Sequence, residues 1–244
     1  RAFDEGPWPR LPRAERRRIL WQLADRLEAS RERLKQIVIA ESAATHDMLW
    51  IQIDKPIEYL RNYAELAVRF DYEEMLPSTS ADFRGFALDV NGMAYRHPVG
   101  VCGLIPTWNV PIHVTIQKIG PALATGCTMV VKPSPYAPIA NLELARIAAE
   151  CDLPPGVLNV VTGEGAEIAR ELVSHPAIDK VSFTGSVATG KAIARAAADT
   201  LKRVHLELGG KSANIVLDDA PIDQTVEGIV AGIFFNQGHV CCAG

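Results

Sequence analysis

The sequence lacks the features that mark several whole classes of protein. No apolar run approaches the roughly 20 residues needed to cross a bilayer, because glycine, proline or charge interrupts the longest ones. Basic residues are not in excess. The 25 Lys and Arg against 29 Asp and Glu give a formal net charge of −4 and a pI of about 5.9, which argues against a general nucleic-acid binder. Cysteine is scarce. The five, at 102, 127, 151, 241 and 242, form no disulfide framework and no Cys/His metal spacing. An odd count with one adjacent pair suits a reducing compartment such as the cytoplasm. The opening RAFDEGPWPR has no initiator Met, no apolar h-region and no cleavage site, so no signal peptide is visible. Internal repeats and low-complexity stretches are absent too.

What is present reads as a folded domain. The 244 residues are 48% hydrophobic and 22% charged, with a mean hydropathy of +0.06. That is enough to bury a sizeable core in one large domain or two small ones. The chain starts in mid-pattern and stops at Cys242-Ala243-Gly244, where an apolar segment has just closed; the expectation is a fragment.

Residues 12–40 read as one helix, with Ile19, Leu20, Leu23, Ala24 and Leu27 on a single stripe. Its arginines at 13, 16, 17 and 18, interleaved with Glu15, Asp25 and Glu28, read as a solvated face. A second helix is expected near 53–70. Residues 77–97 change character, and the Asn91-Gly92 pair predicts a hairpin turn there. From 99 onward short apolar runs alternate with helix-length segments. The runs are Val99–Ile105, Thr128–Val131, Leu158–Val161, Val181–Phe183, Val204–Leu206 and Ala213–Leu217. The helical segments are 111–124, 138–150, 165–174, 187–200 and 221–236. Strands apolar on both faces and joined by helices predict a parallel α/β sheet.

In such a sheet, ligands bind outside the carboxyl ends of the strands. After Val181–Phe183 comes Thr184-Gly185-Ser186-Val187-Ala188-Thr189-Gly190-Lys191. Gly185 and Gly190 let backbone approach a phosphate, and a helix N-terminus with the Ser186 hydroxyl supplies donors. The turn is neither the dinucleotide fingerprint nor a P-loop, and the same pattern also serves as an ordinary strand-to-helix turn. After Thr128–Val131 comes Lys132, which can reach sugar or phosphate oxygens or simply be solvated. After Val204–Leu206 comes Glu207; a carboxylate buried there would have a raised pKa and suit a general base, or it could pair with a nearby Lys. Asn109, held between Pro106 and Pro111, is either a turn residue or a rigid amide fit for an oxyanion. Cys241 follows a helix and a glycine turn, as a nucleophile or as a small buried hydrophobe. A pairing of Cys241 or Cys242 with His239 or His205, as in a cysteine protease, lacks any local signature of that class.

The joint order of these blocks resembles the aldehyde dehydrogenase superfamily. The blocks are FDEGPWPR at 3–10, HPVGVCGLIPTWNVP at 97–111, KIGPALATGCTMVVKPS at 118–134, LPPGVLNVVTGEG at 153–165, KVSFTGSVATGK at 180–191, LKRVHLELGGKSANIV at 201–216 and FFNQGHVCCAG at 234–244. The resemblance spans the whole chain. It implies an α/β fold: a parallel-sheet, Rossmann-like cofactor domain with N-terminal helices and a β-hairpin arm. The divisions expected are N-terminal helices at 1–76, an oligomerisation arm at 77–97, the NAD(P)-binding core at 98–208 and the start of a catalytic domain at 209–244.

By position, the resemblance makes Cys241 the nucleophile, Glu207 the general base and Asn109 the oxyanion amide. It makes Lys132 a ribose contact and Gly185, Ser186 and Gly190 the pyrophosphate turn. Gly165 falls near the adenine, and Trp108 and Leu208 line the nicotinamide end with their backbones. No metal is implied. The reaction implied is NAD- or NADP-dependent oxidation of an aldehyde to a carboxylate, through a thiohemiacetal and a thioester on Cys241. Pro135 stands where NAD-preferring members often carry a ribose-gripping Glu, so the choice of cofactor stays open. His239 and Thr107 depart from the commoner Gln and Pro without removing a catalytic group. The partners implied are a small aldehyde and, through the arm, further copies of the chain as a dimer or tetramer, with neither nucleic acid nor membrane. Two alternatives remain. One is a coenzyme A-acylating semialdehyde dehydrogenase, against which Glu207 argues. The other is a nucleotide-binding module without catalysis.

Overall fold

The computed structural model describes residues 1–164 and 166–243. Its first part is helical: α1 (Arg13–Ala29), α2 (Arg31–Ser42) and α3 (Lys55–Arg69). The expected single helix over 12–40 is two. At Ser30 the N–H is shared between the Arg26 and Leu27 carbonyls, and ψ opens to 6°. The apolar stripe continues across the break, which is why periodicity alone joins the two pieces. The expectation of a solvated arginine face fails at Arg16. This side chain is buried, and its guanidinium donates to the Ala124 carbonyl at 3.1 Å and the Leu11 carbonyl at 2.6 Å. It ties the start of α1 to the end of α4 (Pro111–Thr125), whose last carbonyls need donors.

The arm is two antiparallel ribbons, β1 (Glu73–Met75) with β4 (Met93–Tyr95) and β2 (Thr79–Phe83) with β3 (Phe86–Val90). The tight turn is Arg84-Gly85, not Asn91-Gly92. Phe83 pairs with Phe86, and both central residues have positive φ, 56° and 85°, as a two-residue hairpin requires. Asn91-Gly92 instead joins the two ribbons, with the Ser78 hydroxyl bonded to the Asn91 side chain at 2.6 Å.

A five-stranded parallel sheet forms the centre. Its strands are β5 (Val101–Ile105), β6 (Thr128–Val131), β7 (Leu158–Val160), β8 (Lys180–Gly185) and β9 (Arg203–Leu208), in the order β7-β6-β5-β8-β9. The chain starts at the middle strand, runs to one edge, then returns to the other, which sets a topological switch point between β5 and β8. Alternation sends Cys102 and Leu104 into the core built with α1, α3, α4 and α5 (Ile139–Ala149). It sends Ile105, Val181 and Phe183 to the opposite face, against α6 (Glu167–Ser174) and α7 (Val187–Ala198).

The last part departs most from expectation. Ala213–Leu217 forms no strand among the described residues and is exposed. Strand β9 alternates exposed and half-buried rather than being apolar on both faces, because it is an edge. Helix α8 (Ile222–Phe234) is where its pattern places it, yet none of its described side chains is buried.

Candidate active site

One cavity of about 980 Å³ lies against the α4 side of the sheet, and Glu207, Cys241 and Cys242 open onto it. Strand β9 places Glu207 there, and contacts between the bend after β5 and the turn before Cys241 bring in the cysteines. Pro106 and Pro111 bracket the bend after β5, and Asn109 sits inside it, half-buried. Its side-chain nitrogen donates to the His239 carbonyl at 2.5 Å, two residues before Cys241. Its own carbonyl accepts from Gln52 at 2.9 Å and Asn236 at 3.3 Å. A neutral amide nitrogen carries two hydrogens, so one remains for a further acceptor. Trp108 packs edge-on against the His239 ring, with centroids 5.1 Å apart. The turn that carries the cysteine is thus docked on the strand-end loop that carries the amide.

Cys241 is exposed to the cavity. Partial burial pushes its thiol up from the ordinary value, and the neighbouring Cys242 adds to the rise. Glu207 was expected to be buried; it is not. Its side chain is 64% exposed, and Oε1 lies 3.3 Å from His205 Nε2. The carboxylate ends an edge strand, which leaves it open to solvent.

The other expected residues stand at the carboxyl ends of the strands, outside the lining of that cavity. Lys132 ends β6 and is buried; its ammonium donates to the Pro133 carbonyl at 3.1 Å, burial pushes its pKa down, and it carries two further hydrogens. Ser186 caps α7 by accepting from the Thr189 N–H at 3.2 Å, and the first turn behind it is exposed. An added Cβ at Gly190 would lie 2.6 Å from Leu208, and one at Gly185 would lie 2.5 Å from the Phe183 ring. Their bareness therefore serves close packing inside the protein, and Gly190 lets α7 sit down on β9. Gly165 lies outside the described residues. Among the described residues no group of three His, Cys, Asp or Glu could hold a metal, and no helix is long and apolar enough to cross a membrane.

The aldehyde dehydrogenase family model matches residues 1–244. The chain belongs to that family. It is 41% identical to the NADP/NAD-dependent aldehyde dehydrogenase of Escherichia coli, over 99% of this chain and 48% of that protein. It is 40% identical to a mitochondrial succinate-semialdehyde dehydrogenase of Arabidopsis thaliana, over 97% of this chain and 43% of that one. Among solved structures, an NAD⁺ complex of an aldehyde dehydrogenase from Bacillus cereus superposes with a TM-score of 0.86 at 38% identity, covering 100% of this chain and 48% of that chain. The chain therefore spans about half the length of the aldehyde dehydrogenases it matches.

The motif reading gives no role to the cavity residues Lys118 and Ser182, places Thr184 only at the head of the glycine turn, and offers His205 only as a partner for Cys241 or Cys242. Lys118 is buried on α4, donates to the Ser182 hydroxyl at 2.9 Å, and is pushed down to about 8 by burial. A lysine in the apolar helix IQKIGPALAT is a signal in itself, since a buried ammonium must find a partner. Thr184 is opposite Glu207 in register, and its Oγ1 is buried with no protein partner.

Proposed function

We propose that the protein carrying this chain oxidises an aldehyde to a carboxylate with NAD or NADP, using Cys241 as nucleophile, Asn109 as oxyanion donor and Glu207 as general base. The observation that carries this reading is the shared cavity: thiol and carboxylate open onto one space, and the amide is bonded to the turn that bears the thiol.

The residue chemistry follows from these positions. The Cys241 sulfur, once deprotonated, bonds to the aldehyde carbon, and the carbonyl electron pair moves onto oxygen. The second hydrogen of the Asn109 amide and the Cys241 backbone N–H hold that oxyanion, each contributing on the order of 2.7–4 kcal/mol. A bound nicotinamide supplies the hydride acceptor that leaves a thioester on Cys241. Glu207 then takes a proton from water as the water oxygen bonds to the thioester carbon. The carbon–sulfur bond breaks, the acid leaves, and the thiolate returns. Residues that would hold the cofactor are the exposed first turn of α7 with Ser186, Gly185 and Gly190, the Lys132 ammonium, the backbones of Trp108 and Leu208, and Gly165. A helix N-terminus at the end of a parallel strand favours a phosphate, and the two spare hydrogens of Lys132 suit sugar hydroxyls.

The divisions at 1–76, 77–97, 98–208 and 209–244 belong to the same reading. So does self-assembly through the arm, where Phe83, Phe86, Leu88 and Val90 are all exposed. We assign the protein to a reducing compartment, the cytoplasm, on its cysteine usage.

The test is formation of NAD(P)H by the full-length protein with a panel of aldehydes. Cys241→Ala should abolish it while leaving cofactor binding intact. Full activity in that variant would remove the assignment, and strict dependence on coenzyme A would replace hydrolysis with acyl transfer.

A further inference from the structure

Three side chains link the buried core to Glu207. Lys118 Nζ lies 2.9 Å from Ser182 Oγ, Ser182 Oγ lies 3.2 Å from His205 Nδ1, and His205 Nε2 lies 3.3 Å from Glu207 Oε1. The backbone dictates the grouping. Ser182 and His205 are partners in the parallel register of β8 and β9, Thr184 and Glu207 the next same-face pair, and α4 covers that face with Lys118. The sequence offers His205 only as a protease-like partner for Cys241 or Cys242; the structure instead sets it beside Glu207.

We propose that His205 is a positioning residue for the reaction: its imidazole, oriented from Ser182, holds the Glu207 carboxylate over the cavity for the hydrolytic step. The inference rests on the reading of Glu207 as the base.

The polarity of the chain argues for it. An ammonium can only donate, so Ser182 Oγ accepts from Lys118. The single hydroxyl hydrogen of Ser182 is then free to go to His205 Nδ1. With Nδ1 accepting, the neutral ring carries its hydrogen on Nε2, the nitrogen that faces Glu207. A buried cation thus selects the tautomer that presents a donor to the carboxylate. Such a tether is needed because Glu207 ends an edge strand and is mostly exposed. Untethered, a flexible carboxylate spreads over several rotamers and spends less time aimed at water. On the same face of the sheet Lys180 of β8 pairs in register with Arg203 of β9, both cationic, and the cavity is further lined by His113, Tyr59 and the Cys241 and Cys242 thiols.

The experiment is stopped-flow NAD(P)H formation by the full-length protein, comparing His205→Ala with wild type and with Glu207→Gln. A slow hydrolytic step shows as a rapid burst of NAD(P)H followed by slower turnover. Glu207→Gln should burst; if it does not, the reading of Glu207 fails, independently of His205. Given that burst, His205→Ala should also burst and turn over roughly tenfold more slowly, a part of the ~10²–10⁴-fold that a general base supplies. Added imidazole should restore its steady rate, since the cavity is open enough to admit it; a merely structural role would not respond to imidazole. Ser182→Ala should give a weaker burst that imidazole does not restore. The proposal is overturned if His205→Ala matches wild type, if its burst phase slows as much as its turnover, or if imidazole leaves it unchanged.

Discussion

The helical side of the molecule and the stretch after β9 have similar apolar content but opposite fates. In the first, Trp8, Leu20, Leu60 and Ile116 are fully buried between helices and sheet. In the second, Ile215, Leu217, Ile222 and Phe234 are exposed, and α8 buries no described side chain. The difference shows that periodicity sets an element while burial needs a partner. It also divides the candidate site. Asn109, Lys118 and Ser182 are fixed in the packed part, whereas Glu207 ends the exposed edge strand β9 and Cys241 sits on the open stretch beyond it, both taking their aim from those anchors.

The largest effect expected from breaking that division is at Asn109. Asn109→Ala removes both the proposed oxyanion donor and the bond to the His239 carbonyl, and should lower kcat about 10²–10³-fold. Steady-state kinetics of the full-length protein check this. A loss confined to KM would mean that the amide serves only to bind.

Next is Lys118. Its folded value of about 8 lies below the ordinary 10.5, so between these two pH values the unfolded chain binds more protons than the folded one. Stability should therefore rise with pH over that window, by on the order of 3 kcal/mol relative to Lys118→Met. The penalty is fully present below about pH 8. Denaturant melts at several pH values would show it, and parallel profiles for the two proteins would contradict it.

Smallest is the arm. Leu88→Lys lies on an exposed ribbon and should change stability by less than about 0.5 kcal/mol, while the proposed self-assembly through the arm would shift toward smaller species in sedimentation. A large loss of stability with unchanged assembly would reverse the assignment of this surface.

Much of this was legible in the sequence, for identifiable reasons. Strand β6 coincides with the apolar run Thr128–Val131 because it is an interior strand, apolar on both faces. Helix α4 was bounded by Pro111 and Gly126, a proline at the start and a glycine past the end. Element types at β8, α5 and α7 follow from the same patterns. What failed depended on partners. Ala213–Leu217 has strand composition but pairs with nothing among the described residues. The Arg84-Gly85 turn outcompeted the stronger Asn91-Gly92 signal because register, not the local dipeptide, fixes the hairpin. Arg16 and Lys118 are charged residues whose burial depends on a carbonyl or hydroxyl far away in sequence. At the site, the motifs singled out Cys241, Glu207 and Asn109, but the exposure of Glu207 and the chain through His205 and Ser182 arise only from the strand register.

The most direct test of the account is peptide mass spectrometry of the Glu207→Gln full-length protein, quenched in acid after mixing with aldehyde and NAD(P). An acyl group, the aldehyde less one hydrogen, is expected in thioester linkage on Cys241. An unmodified Cys241 peptide at the end of an NAD(P)H burst, or the acyl group on another residue, would contradict it.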